Sequence, residues 1–246
     1  MTVALALPTR KDEDFRYSDL AALGAVWPVA RETIDVPAGT SASLSIAPEA
    51  TGGTVARHIV LTLGDGAAYD LRILNAGHAF GRIAVDVRLG ARASFTFGAA
   101  QLGNGDQTLE IVTEVTHAAP DATSQQVIRS VLAGRATGTY LGRVAVERGA
   151  IGTDAGQSVR AMLLDRTATA NARPELEIYA DDVKCAHGCA VGELDATGLF
   201  YLQSRGLTPA EAKRLMLQAF IAEAFVGAPD EATLSEAALA ALGDLL

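Results

Sequence analysis

Short runs of alternating apolar and polar residues dominate the middle of the chain, from about residue 34 to residue 191. Such period-2 alternation is typical of β-strands with one buried and one exposed face. The runs recur at intervals of roughly a dozen residues, and glycine-rich stretches at residues 64–67, 90–91 and 149–150 separate them. Glycine permits a positive φ where a strand has to turn sharply. The clearest runs cover residues 58–63, 83–89, 109–115, 127–132, 143–146 and 175–179.

No helical pattern of roughly 10–15 residues separates these runs, so crossovers through helices are not expected. A sandwich, a barrel and a β-solenoid are all compatible with the pattern. We favour the solenoid, because similar short runs with Gly and Ala corners suit stacked coils that bury their faces on one another. The predicted fold class is therefore mainly β, a parallel β-helix followed by a small α-helical domain.

The predicted C-terminal helices have clear start and stop signals. Asp195 is a good N-cap for a short helix that contains the sequence LFYL, and Gly206 stands where a left-handed residue would end it. Thr208, Pro209 and Glu211 then form a capping box with proline at the first helical position. This second helix is expected to run to about residue 226, and a third from about residue 233 to residue 242.

The second predicted helix is apolar on more than one side. Its apolar residues exceed the single stripe of a surface helix, so it has to be buried by its own domain and perhaps also by a partner. The apolar positions are Leu215, Met216, Leu217, Phe220, Ile221 and Phe225. The sequence thus divides into a short N-terminal segment (1–30), a β-helix core (31–192) and a C-terminal helical domain (193–246).

Composition narrows the classes of function. The chain has 246 residues and a net charge of −9, which argues against a nucleic-acid or anionic membrane surface because phosphate contacts need clustered Lys and Arg. No apolar run approaches the ~18 residues of a membrane span. The apolar patch at residues 3–7 has no basic region before it, so it does not indicate a signal peptide. We therefore expect a soluble cytoplasmic protein.

Soft metal ligands form a cluster in one segment of the sequence, which contains Cys185, His187 and Cys189. Thiolate and imidazole select iron, zinc or Cu(I). In an extended strand the three share a face, but the two cysteines lie about 13 Å apart at ~3.3 Å per residue, too far for one ion or a disulfide. A turn at Gly188 would remove this limit. Two small buried cysteines with a structural histidine are an equally good interpretation, and the adjacent Asp181 and Asp182 are better explained as a solvated turn.

Three stretches of the sequence carry a resemblance to a known family. They are PTRKDEDFRYSDL at residues 8–20, GRV and GAIGTDAGQ at 142–144 and 149–157, and PELEIYADDVKCAHG with the following VG, LD and LFYLQSRG at 174–206. In these stretches the chain resembles the SufB/SufD family of iron–sulfur cluster assembly proteins, and in particular its SufD branch. The resemblance is strongest over about residues 130–225.

The resemblance implies a right-handed parallel β-helix with a C-terminal helical domain. It also implies a non-catalytic scaffold subunit that pairs with a SufB-like subunit and with the ABC-type ATPase SufC. The chain contains no G-x-x-x-x-G-K-[ST] phosphate loop of its own. In the family the C-terminal helices receive the ATPase, and the residues assigned to this contact are Leu199, Phe200, Arg205, Leu217, Phe220 and Ile221.

The Cys and His of the family motif fall on Cys185 and His187, which the resemblance places near the SufB–SufD interface where the nascent cluster forms. Iron or a cluster is therefore expected to be transient and shared with SufB, with no stably bound cofactor. This chain is short for the family, with a reduced N-terminal region and fewer coils expected. Cys189 replaces the small non-thiol residue usual after the His-Gly pair, and it either adds a ligand or fills space. Two cysteines cannot supply an all-Cys cluster site, so other ligands have to come from a partner.

Two other functions stay open at this point. A thiol- or metal-dependent enzyme would need a turn that brings Cys185, His187 and Cys189 together. A β-helix carbohydrate-active protein is less favoured, because aromatic residues make up 5% of the chain. A strand edge that would otherwise meet SufB is a template for association, so we also expect a homodimer when the partner is absent.

Overall fold

The structure of the protein is a computed structural model, and it describes residues 6–48 and 52–246. Most of the apolar patch at residues 3–7 therefore lies outside the described residues. The strands are β1 Arg31–Val36, β2 Ser41–Ile46, β3 Thr54–Leu63, β4 Ala68–Ala76, β5 Phe80–Leu89, β6 Ser94–Gly103, β7 Thr108–His117, β8 Thr123–Leu132, β9 Thr137–Val146, β10 Asp154–Leu163, β11 Thr169–Ile178 and β12 Lys184–Gly192. The helices are α1 Leu20–Gly24, α2 Ala196–Ser204, α3 Pro209–Ala222 and α4 Glu231–Gly243, and a 3₁₀ turn covers Glu13–Phe15.

The strands form two parallel sheets, and successive strands alternate between them. Sheet A has the order β1-β3-β5-β7-β9-β11, and sheet B has the order β12-β10-β8-β6-β4-β2. Each odd-numbered strand and the even-numbered strand after it thus make one coil, which stacks on the next coil. This arrangement is a β-solenoid followed by a few helices, so the predicted fold class is confirmed and the sandwich and the barrel are excluded.

One corner of the solenoid repeats the same backbone conformation in each coil. Gly39, Gly66, Arg92, Asp121 and Gly152 all have a positive φ. The amide of each donates a hydrogen bond to a carbonyl of the next coil, for example from Gly66 to Ala91 over 2.7 Å and from Arg92 to Pro120 over 2.9 Å. A left-handed residue turns the chain without loss of this bond, which explains why glycine recurs between the strand patterns.

The interior is filled by aliphatic columns that run through successive coils. The parallel register of sheet A stacks one such column from β3 to β11. Its members Leu61, Val87, Val115 and Val144 are fully or almost fully buried. Each buried side chain of this kind contributes roughly 1.5–3 kcal/mol relative to an exposed one. The alternation of apolar and polar residues in the sequence therefore arises because one face of each strand points into the interior of the solenoid.

A second core joins the helices to the outer face of sheet B. Leu74 of β4, Leu102 of β6 and Val131 of β8 pack outward against Leu217 and Phe225 of the helical region. Strands β4, β6 and β8 are consequently buried on both faces along much of their length. The helices that follow residue 193 thus share their core with the solenoid.

Two buried arginines fix the end of α3 to sheet B. Arg72 donates to the carbonyl oxygen of Ala224 over 2.8 Å. Arg129 donates through Nε and Nη2 to Glu223, and through Nη1 to the carbonyl oxygen of Ser158 on β10 over 2.9 Å. The α-helix α3 ends at Ala222 and not near residue 226 as predicted from the sequence, and turn-type hydrogen bonds continue the chain to Val226.

The N-terminal segment lies across the outer face of sheet A. Ser18 donates to the carboxylate of Glu110 over 2.8 Å, and Arg82 pairs with the same carboxylate. The Arg82 guanidinium also lies 4.2 Å from the centroid of the Phe15 ring. All of Ser18, Arg82 and Glu110 are buried, so this segment is part of the packed structure. Among the described residues no helix is long and apolar enough to cross a membrane.

Gly98 of β6 lies directly beneath the end of α3, and a side chain there would break the attachment. A Cβ at this position would overlap the carbonyl oxygen of Ala224 and the guanidinium of Arg72. We expect Gly98→Ala to lower the free energy of unfolding by about 1–3 kcal/mol, as overpacking does. A Cβ at Gly192 meets nothing within 4 Å, so Gly192→Ala is the control, with a change within about 0.5 kcal/mol. Urea unfolding measures the free energy of unfolding of both variants. An equal loss in Gly98→Ala and Gly192→Ala would contradict this account.

The free energy of unfolding should decrease as the pH is lowered, because of His117. This residue is fully buried between Leu89 and Val146 in the register of sheet A. Burial lowers the pKa of His117 from 6.5 to about 4. Between these pH values His117 is protonated in the unfolded chain and neutral in the folded chain. The free energy of unfolding therefore decreases as the pH falls from 6.5 towards 4. From pH 7 to pH 5 the loss should be about 2 kcal/mol.

The apolar variant His117→Leu matches its two neighbours and removes the titrating group. Its free energy of unfolding, measured in urea at both pH values, should lose this component of the pH dependence. An unchanged pH dependence in the variant would show that other groups are responsible.

Candidate functional site

The candidate ligands lie on β12, the terminal strand of sheet B. This strand pairs with β10 on one side, and nothing described in the structure pairs with its other side. Gly188 continues the strand without a turn, so Cys185, His187 and Cys189 keep the spacing of an extended chain. The two thiols therefore lie about 13 Å apart along the strand. Cys185 is half-buried, while His187 and Cys189 are exposed.

The two thiols have different surroundings. Cys185 packs against the interior core of the solenoid. Burial raises the pKa of its thiol, and a hydrogen bond with the backbone of Ala155 opposes this in part. Cys189 is solvent-exposed, and its Sγ is 4.0 Å from the carbonyl oxygen of Ala172. Since both point to the inner face of the last coil, where no further coil covers them, they are open at the end of the solenoid.

His187 continues a column of polar side chains that the sequence did not reveal. It is in register with Gln157 of β10, which is in register with Gln126 of β8. The Nε2 atom of Gln157 donates to the hydroxyl of Tyr140 over 3.2 Å, and Tyr140 is bonded to Gln126 in turn. The Oε1 atom of Gln157 is buried and has no hydrogen-bond partner within residues 6–48 and 52–246. The recurrence of glutamine at matching positions of two strand patterns is the signal that would have identified this column.

No three His, Cys, Asp or Glu side chains in residues 6–48 and 52–246 lie close enough to hold one metal ion. Asp182 has a positive φ, and its carbonyl accepts from Gly152, as at the other corners. The acidic pair is thus part of a turn, as the sequence indicated. The extended β12 does not bring the three soft ligands together.

The other three histidines each have a polar partner in the structure. The Nε2 atom of His58 is hydrogen-bonded to the carboxylate of Asp86 over 2.7 Å on the outside of sheet A. His78 lies 3.4 Å from the carbonyl oxygen of Gly52. His117 is hydrogen-bonded to the hydroxyl of Ser124 over 2.9 Å inside the solenoid.

The helical region presents an aromatic surface at α2. Phe200 is 73% exposed and Tyr201 is 55% exposed, and the Arg205 guanidinium lies 5.1 Å from the Tyr201 ring centroid. Thr208 and Glu211 form the predicted capping box that starts α3, and Asp195 caps α2 as predicted. Large contiguous patches of exposed apolar side chains are typical of interaction surfaces, so α2 is the candidate for such a surface.

The sequence analysis assigned Leu217 and Ile221 to partner contact. Both side chains lie on the side of α3 that faces sheet B. They are 0% and 2% exposed and belong to the core shared with sheet B. This burial corrects the assignment, because neither side chain can touch another protein. Leu199 and Phe220 are half-buried, and Arg205 is exposed. The accessible surface is therefore centred on Phe200, Tyr201 and Arg205.

The fold and the candidate site together describe a solenoid protein with two thiols at the open end of its last coil and exposed aromatic side chains on α2. The family model for "SUF system FeS cluster assembly, SufBD core domain" matches residues 31–220. The chain therefore belongs to the SufB/SufD family of iron–sulfur cluster assembly proteins, and it is SufD-like.

Relatives in bacteria and plants show the same relationship. The chain is 36% identical to SufD of Escherichia coli over 123 residues, which cover 50% of this chain and 29% of the relative. It is 34% identical to the chloroplastic protein ABCI7 of Arabidopsis thaliana over 157 residues, which cover 63% and 33%. A SufBD family protein of Mycobacterium bovis is 30% identical over 218 residues, which cover 85% and 51%. The chain thus spans about a third to a half of the length of these relatives.

The different surroundings of the two thiols predict different reactivity. Exposed Cys189 should be alkylated several-fold faster than Cys185, because burial raises the pKa of Cys185 and shields its sulfur. Limited treatment of the full chain with iodoacetamide, followed by peptide mass spectrometry, measures both rates. The variants Cys185→Ser and Cys189→Ser assign each rate to its residue. Equal rates, or a faster Cys185, would contradict this description of β12.

Proposed function

We propose that this chain is a SufD-like scaffold subunit that pairs with a SufB-like subunit along β12 and receives a SufC-like ATPase on its C-terminal helices. The observation that carries the proposal is the exposed aromatic surface of α2 on a helical region that is itself bonded to the solenoid. Family membership and the printed names of the relatives, which are iron–sulfur cluster assembly proteins, support the same role. We place this work in the cytoplasm, as the sequence suggested.

Iron or a nascent cluster is cargo in this proposal. Cys185 and His187 lie on an open strand edge, where a second chain can supply the missing ligands. Soft thiolate and imidazole donors suit iron. Because the cysteines of one chain are about 13 Å apart along β12, the cargo would be held between two subunits and released when they move.

The buried arginines give a route from the ATPase to this strand. Closure of an ATPase dimer would pull on α2 and α3, and α3 is bonded through Glu223 to Arg129. Arg129 also holds the carbonyl oxygen of Ser158 on β10. Ser158 is in register with Gly188, in the middle of the ligand strand. A displacement of α3 would therefore be passed to the strand that carries Cys185 and His187.

The rival functions fit the structure less well. A stand-alone enzyme built on Cys185, His187 and Cys189 would need these side chains to converge, and the extended β12 keeps them apart. The carbohydrate-active alternative shares the solenoid fold, but the family match points to iron–sulfur assembly. We therefore propose that the chain is a scaffold and not itself a catalyst.

The docking surface can be tested by a single charge. Phe200→Asp should reduce co-elution of the full chain with a SufC-like ATPase by at least tenfold, because a carboxylate in a desolvated aromatic contact is costly. Ile151 at a solenoid corner is also an exposed apolar residue, 51% exposed, so Ile151→Asp is the matched control and should leave co-elution unchanged. The readouts are size-exclusion chromatography and circular dichroism of each variant. Normal binding by Phe200→Asp, or no binding by the unaltered chain, would refute the docking proposal.

A further inference from the structure

The polar column that ends at His187 contains a hydrogen-bond acceptor without a donor. Gln157 of β10 is 3% exposed, and its Oε1 atom has no hydrogen-bond partner in the described part of the chain. The residue of β12 in register with Gln157 is His187. We propose that a ring N–H of His187 donates to Oε1 of Gln157, and that Gln157 is thereby a positioning residue that fixes the tautomer and the orientation of the His187 ring. This inference rests on the proposed function of His187 as a ligand for cargo.

The side chain of His187 points into the solenoid, on the same face as Gln157. In the parallel register Cys185 lies beside Ala155, and both pack in the interior core. His187 and Gln157 are each two residues further along their strands, so they share this inward face. Neighbouring strands are about 4.8 Å apart, so side chains that stack in register along the solenoid are within contact distance.

Hydrogen bonds inside the solenoid determine which end of the Gln157 amide is unpaired. The Tyr140 hydroxyl donates to Oε1 of Gln126 over 3.3 Å. A hydroxyl has one proton to donate, so towards Gln157 it is the acceptor, and it takes this bond from Nε2 over 3.2 Å. The Oγ1 atom of Thr113 lies 3.0 Å from the same hydroxyl and holds it in place. The Gln157 amide is therefore fixed with Nε2 bonded and Oε1 open to a donor.

His187 supplies the strong donor beside this oxygen. The β11 side chains that pack against the interior at the last coil, Ala172 and Leu176, are apolar. Gln126 is in register with Gln157 on the other side, but its Nε2 atom is also buried without a partner among the described residues. The His187 ring is exposed, and no described strand lies above it. It can therefore turn about its side-chain bonds and satisfy the buried acceptor, which is costly to leave unpaired.

This hydrogen bond prepares His187 for a role as a ligand. A metal-binding histidine donates its other ring N–H to a nearby acceptor, which fixes the tautomer and raises the basicity of the nitrogen that binds. With one N–H held inward by Gln157, the lone pair of the other ring nitrogen points away from the coil interior, towards the open end of the solenoid. Incoming iron would thus meet an imidazole already in the form that binds it.

Exchange of the ring proton tests the bond in the full chain. Near pH 8, a histidine with the ordinary pKa of about 6.5 is neutral. The ring N–H of His187 should then give a ¹H–¹⁵N signal in the unaltered chain, assigned by its loss in His187→Gln. Gln157→Leu removes the acceptor, so this proton should exchange with water at least about fivefold faster. Equal exchange rates in the two proteins, or no such signal in the unaltered chain, would overturn the proposal.

Gln126→Leu is the matched control for loss of a buried amide. Gln126 is 1% exposed and is also bonded to Tyr140, but Gln157 separates it from His187 in the column. This variant should keep the slow exchange of the His187 ring proton. Exchange as fast as in Gln157→Leu would show a general loosening of the interior and would overturn a positioning role.

Gln157→Asn keeps the test decisive if Gln157→Leu does not fold, as judged by circular dichroism. Asparagine leaves an amide in the column and shortens its reach by one methylene group, so the His187 ring proton should again exchange faster. Slow exchange in folded Gln157→Asn would overturn the proposal.

The ring-proton result is separable from ATPase docking. The Gln157 side chain lies inside the solenoid on β10, so Gln157→Leu should co-elute with a SufC-like ATPase as the unaltered chain does. Normal co-elution with an unprotected ring proton would remove the role of Gln157 and leave the scaffold function. A protected ring proton in a chain that does not bind the ATPase would support the role of Gln157 and refute docking.

Discussion

The in-register stacking of parallel coils is the constraint on which the rest of this molecule depends. Each coil satisfies its backbone hydrogen bonds and buries its aliphatic face on the coils above and below it. A stack of this kind is stabilised by its neighbours, so its last coil necessarily has open groups. The candidate ligands of this chain lie on that last coil. The exposure of Cys185, His187 and Cys189 is therefore a result of where the stack ends and requires no pocket.

Sheet B also supports the helical region. The inner face of sheet B is covered by the coil interior, and its outer face is covered by α3 and α4, which contact Leu74, Leu102 and Val131. Arg129 bonds both to the end of α3 and to β10, next to the ligand strand. The attachment of the helices and the position of the ligands are thus parts of one sheet.

Much of this structure could be predicted from local patterns. The alternating runs, the capping box at Thr208 and Glu211, and the N-cap at Asp195 depend on neighbours in sequence, and the structure contains all of them. The attachment of the end of α3 could not be predicted, because Arg72 and Arg129, which bond to Ala224 and Glu223, come from distant strands. The sequence showed that α3 is apolar on two sides, but it could not show that Leu217 and Ile221 face the solenoid. The neighbourhood of His187 and Gln157 was equally hidden, since register depends on the length of every corner between them.

The core shared between the helices and sheet B has a consequence for how this architecture can evolve or be engineered. Because Leu217 and Phe225 fill the space above Leu102 and Val131, the tail is not a portable module that can be grafted onto another scaffold at residue 193. A transplanted helical region would lack the apolar face of sheet B on which it packs. A solenoid without these helices would expose that apolar face and would be prone to aggregation. Exchange between family members would have to carry the matching strands along with the helices, so these two parts are expected to be inherited together.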